Sequence, residues 1–130
     1  MQMNHVKYWL DLADYDLATA KDLFLSKRWI YVVFMCHQVL EKTLKAYWCA
    51  SQGSDSMPYI HNLLRLAEGC GLKEQMSEEQ LSFIDLMMPM NIEARYPDYK
   101  ASIAVGLNAD RCEMIISKTE GMQLWIKSKL

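Results

Sequence analysis

Glu41, Lys42 and Lys45 bring an acid and two bases onto one strip of an otherwise apolar stretch. Spacing alone makes them a solvated edge, with Glu41 and Lys45 paired at i,i+4 for about 0.2–0.5 kcal/mol. The alternative is that the strip lines a cleft. Arg95, in Ala94-Arg95-Tyr96-Pro97-Asp98, is a second candidate, because a guanidinium suits phosphate and a segment between helices can present it. Tyr96 and Tyr99 could stack on a base or cover the core. The histidines divide by position. His37 falls on an apolar row and reads as a core residue, and His5 is near the terminus. His61 opens the third expected helix, where it could bond backbone groups or face a cleft. No Gly-rich phosphate loop, H-E-x-x-H or G-x-S-x-G occurs.

The elements that must position these groups are helical. Val6, Trp9, Leu10, Ala13, Leu17, Ala20 and Phe24 repeat at three and four, while Lys7, Asp11, Asp14, Lys21 and Asp22 lie off that face, so 4–27 reads as an amphipathic outer helix. From 28 to 52 there are two apolar rows, Ile30, Val33, His37, Leu40, Leu44, Tyr47 and Val32, Met35, Cys36, Val39, Thr43, Ala46. Only the strip of Gln38, Glu41, Lys42, Lys45 and Gln52 is left polar, as expected of a helix central in its bundle.

Gly53 to Met57 reads as a loop, with Pro58 suited to the first turn of a short helix that stops at Gly69 or Gly71. Ser77-Glu78-Glu79-Gln80 reads as a capping box that starts a fourth helix, ended near Pro89. Asn91 to Lys100 reads as a structured loop, since Pro97 pushes Tyr96 toward an extended conformation. A last helix spans 107 to 128. The fold expected is all-α, an antiparallel up-and-down bundle of about five helices in one domain, 1–130.

Composition narrows the function classes. A chain of 130 residues, 52% apolar and 23% charged, suits one globular core. The net charge of −2 excludes a global attraction to nucleic-acid backbone, so any such binding must be local. Cys36, Cys49, Cys70 and Cys112 are spread without metal-ligand spacing and read as reduced thiols; no metal and no cofactor is expected. Without a signal-peptide core or a membrane-length apolar run, the expected place is the cytoplasm, with no membrane partner.

Three blocks carry a family resemblance: Cys36-His37-Gln38-Val39-Leu40-Glu41-Lys42-Thr43-Leu44-Lys45-Ala46-Tyr47, then His61-Asn62-Leu63-Leu64-Arg65-Leu66, then Ala94-Arg95-Tyr96-Pro97-Asp98. In that order and spacing the chain resembles the prokaryotic HEPN domains, over nearly its whole length. The resemblance implies a helical bundle that commonly forms homodimers and occurs beside a small nucleotidyltransferase, as a toxin and antitoxin pair or as two halves of one enzyme. Many HEPN domains are metal-independent ribonucleases that use an arginine and, after four to six intervening residues, a histidine. Here Lys100, Ala101 and Ser102 occupy those positions, and no histidine follows Arg95 in the chain. Ser102 also stands where some pairs carry a tyrosine that the nucleotidyltransferase modifies.

The leading expectation is therefore a HEPN-like module that binds a nucleotide, RNA or another phosphate-bearing ligand without the ribonuclease pair. Its candidate ligand-binding residues are Glu41, Lys42, Lys45, His61, Arg95 and Asp98; no catalytic residue is assigned. One alternative is a ribonuclease with a non-standard site, Arg95 and Lys100 on the phosphate and His61 as base. The other is a structural homodimer with a face fed by Trp9, Trp29 and Trp48.

Overall fold

Two long helices form a hairpin on which the rest of the chain is built: α1 (His5–Leu25) and α2 (Trp29–Gln52). The computed structural model describes residues 4–91 and 97–130, with the side chains of 97–100 outside that description. The chain continues through α3 (Leu63–Gly69), α4 (Glu78–Met87), α5 (Pro97–Val105) and α6 (Ala109–Lys127). Single 3-10 turns at Ser54–Ser56, Lys73–Gln75 and Met88–Met90 punctuate the connections, and no strand occurs among the described residues.

Local chemistry sets the helix ends. The Asn4, Asn62 and Asn108 side chains accept from the backbone N–H groups of Lys7, Arg65 and Arg111, satisfying donors that the first turn leaves unpaired. Ser77 and Gln80 form the expected reciprocal capping box. The α1 to α2 reversal is tight because Lys27 adopts φ 61° while the Lys27 and Arg28 amides donate back to the carbonyls of Phe24 and Leu23. That is the Schellman arrangement, with lysine where glycine is usual. After α3 the same arrangement recurs around Gly71, φ 83°, with its amide and that of Leu72 donating to Glu68 and Ala67.

Two local expectations are corrected. The third helix begins at Leu63 and not near Pro58, because the Asn62 side chain supplies the cap and Pro58 stays in the irregular connection. Residues from Pro97 onward are helical and not loop: a proline ring fixes φ for the first helical position and lacks only an N–H that would be unpaired there. The helix count is accordingly six among the described residues.

The core runs along α2, where Val32, Val33, Cys36, Leu40 and Leu44 are fully buried together with Leu63, Leu66, Leu72, Ile84, Ile115 and Ile126 from later in the chain. Packing is close enough at α3 that a Cβ on Gly69 would meet the Trp48 ring at 2.2 Å, so any larger residue there would have to displace that ring. α1 covers one side of α2, and α6 lies beside both. Ion pairs Lys21 to Glu120 (2.8 Å) and Asp14 to Lys127 (2.9 Å) connect the two helices in the order of an antiparallel pair. The three tryptophans considered for a dimer face are half-buried within one chain: Trp29 packs on Phe24, Trp48 bonds Ser56, and Trp9 covers Lys45. Among the described residues, no helix is long and apolar enough to cross a membrane.

Candidate functional site

Glu41 stands on the side of α2 that spacing alone assigned to solvent, yet it is only 3% exposed. Lys45, one turn on, is 7% exposed and places Nζ 3.0 Å from Glu41 Oε2. The i,i+4 pair is present, but under cover, because α1 and the connection before α3 lie over the strip that would otherwise be wet. Burying two charges is costly unless each is paired and hydrogen-bonded, which makes the surrounding contacts informative.

Those contacts come from three other places in the chain. His61, just before the Asn62 cap, places Nδ1 3.1 Å from both Glu41 carboxylate oxygens. His37, one turn earlier on α2 and fully buried, places its Nδ1 3.8 Å from Glu41 Oε1. Trp9 of α1 lies with its ring centroid 5.1 Å from Lys45 Nζ, a cation–π contact that serves the face of the ammonium not taken by the carboxylate. Glu41 thus joins a buried ammonium to an imidazole whose side chain is 65% exposed. Chemically this is an oriented histidine: a proton on Nδ1 is held by the carboxylate, leaving the other ring nitrogen to accept when neutral or donate when charged.

Lys42 goes elsewhere. Its ammonium pairs with Asp16 of α1, a residue 5% exposed on the face between Ala13 and Ala20. Sequence reading missed Asp16 although its place three after Ala13 and four before Ala20 puts it on the buried stripe. It also missed that Trp9 would cap Lys45. Of the other candidates, Arg95 lies outside the described residues; Asp98 is on α5 by its backbone, with its side chain outside the description. The structure therefore brings Glu41, Lys45 and His61 together and sends Lys42 to a separate pair.

Beside Trp9 opens a cleft of about 400 Å³ between the start of α1 and the turn after α2, lined by His5, Tyr8, Trp9, Asp55 and Tyr59 among others. Tyr8 and Trp9 meet edge to face at 5.2 Å. On the opposite side of α2 the chemistry is inert: burial pushes the Cys36 thiol up to about 12 and that of Cys112 to about 11, so neither is a thiolate near neutral pH. Among the described residues, no group of three or more His, Cys, Asp or Glu is placed to hold a metal ion.

A family model described as HEPN domain matches residues 6–129. The crystal structure of TT1696 from Thermus thermophilus is similar with a TM-score of 0.82 at 19% sequence identity, over 98% of this chain and 100% of that one; at that identity the likeness concerns the fold. No curated protein matches the chain.

Proposed function

The chain belongs to the HEPN domain family, and from that premise we propose that it is a nucleotide- or phosphate-binding module that pairs with itself and with a small nucleotidyltransferase, in the manner of a toxin and antitoxin pair. The observation that carries the reading is the Glu41 carboxylate holding Lys45 on one side and His61 on the other. Spending a buried charge pair to orient an exposed imidazole has no rationale in packing alone, since an apolar pair of similar volume would stabilise the helix as well or better. A charged His61 offers the ring donor that a phosphate oxygen accepts, and Arg95 is the chain's proposed second cation.

Titration calorimetry with ATP, other nucleotides and short RNA tests it. Saturable heat with at least one of them is expected, and saturating amounts without heat overturn the binding claim. For self-association, Tyr15 and Leu25 on α1 and Leu124 on α6, all exposed, supply apolar surface that a second copy would cover. Sedimentation at micromolar concentration is expected to show a dimer; a monomer throughout contradicts it.

A second reading, cleavage of RNA with His61 as base, is favoured by the Glu41 contact, since a carboxylate on Nδ1 is how an imidazole is held to take protons. Total RNA incubated with native protein and with Arg95→Ala decides between them. Cleavage that Arg95→Ala abolishes supports this second reading, and intact RNA removes it.

A further inference from the structure

The cleft beside Trp9 differs in chemistry from the ionic cluster behind it. Its walls include three aromatic side chains, Tyr8, Trp9 and Tyr59, and Tyr59 is fully exposed. An unburied tyrosine gains nothing from the core, and its ring is available to a flat ligand. Among the described residues the only acid on the walls is Asp55, exposed on the 3-10 turn Ser54–Ser56, and no hydrogen bond is made to its carboxylate. At about 400 Å³ the space suits a nucleoside rather than a lone ion.

Aromatic faces hold any nucleobase by stacking and do not select among them. Selection falls to the acid. A carboxylate has two acceptor oxygens and no donor, so it fits a base edge presenting adjacent N–H groups and rejects one that presents a ring-nitrogen lone pair. Guanine offers a ring N–H and an exocyclic amine side by side. Adenine offers an amine next to an acceptor nitrogen, and uracil a single N–H between carbonyls.

We propose that this cleft is a guanine-selective nucleoside site, with the base stacked among Tyr8, Trp9 and Tyr59 and its paired N–H groups donating to Asp55. The proposal deepens the nucleotide-binding reading and rests on it, adding the identity of the base at a place set apart from the phosphate cluster. Trp9 links the two, lining the cleft while also covering Lys45.

Guanosine and adenosine, which carry no phosphate, are titrated separately into the native full chain by calorimetry or by NMR. Guanosine is expected to bind about tenfold more tightly or better, the discrimination of one bidentate pair. Asp55→Asn, at an exposed position where folding is undisturbed, is expected to bring the two nucleosides within twofold of each other. Tyr59→Ala is expected to weaken both alike. Equal affinity for the two nucleosides, no binding of either at millimolar concentration, or a guanosine preference that survives Asp55→Asn overturns the proposal. If ATP still binds in a His61-dependent way when guanosine does not, the guanine site falls while the phosphate reading stands.

Discussion

Two ion pairs, one buried and one part-buried, start from neighbouring positions of α2, and they are built differently. Lys42 reaches across to Asp16 on α1, so its pair joins two helices and is closed, with side chains 19% and 8% exposed. Lys45 and Glu41 belong to the same helix, with Trp9 of α1 over the ammonium and the largely exposed His61 on the carboxylate. An ion pair between elements has a structural purpose in fixing how α1 lies on α2. An ion pair within one helix, buried more deeply and extended to an exposed imidazole, is better understood as holding that imidazole. Adjacent residues of one polar strip thus divide into a fastening between helices and the proposed binding site.

Glu41→Gln is the most damaging way to break that comparison. It strands Lys45 almost without water, and unfolding in urea is expected to show a loss of about 3–5 kcal/mol. Adding Lys45→Met is expected to restore most of that loss, because the stranded charge and not the missing contact is the source. Asp16→Asn comes next, at about 1–3 kcal/mol, since Lys42 keeps a partial path to water and the amide can still accept. Ligand affinity is expected to survive it. His61→Ala should cost about 1 kcal/mol or less, its ring being largely solvated, yet weaken nucleotide binding at least tenfold.

The far side of α2 gives the smallest effect, nil at neutral pH. Burial raises the thiols of Cys36 and Cys112 to about 12 and about 11, so the native chain keeps protons that the unfolded chain releases. Their contribution to stability is complete below an unfolded thiol's pKa, about 8.5, and is lost as pH rises beyond it. Denaturation under reducing conditions at pH 8 and pH 10, about half a unit below and a unit and a half above that pKa, is expected to show the decline. Cys36→Ala is expected to make it shallower.

Periodicity showed most of this fold and little of its site. The Ser77 cap and the stop after α3 rest on interactions within a few residues, and the central position of α2 is written in its two apolar rows, all of which spacing records. The start of α3 was obscured because Pro58 and Asn62 both carry helix-start chemistry, and only the three-dimensional context selects Asn62. Pro97 both constrains its predecessor and can open a helix, and sequence alone does not choose between the two. The burial of Glu41 and Lys45 depends on what α1 and the segment before α3 lay over them, and the Glu41 to His61 contact spans 20 positions through an irregular connection. Asp16 was hidden for the same reason, since an acid on an apolar face makes sense only once Lys42 is opposite it.

The division of the strip is tested most directly by titrating one nucleotide, ATP, into three proteins: native, His61→Ala and Asp16→Asn. Native and Asp16→Asn proteins are predicted to bind with affinities within about twofold, despite the larger stability loss of the latter, and His61→Ala at least tenfold more weakly. Equal binding by all three, or a loss that follows stability so that Asp16→Asn is the weaker, would contradict the account.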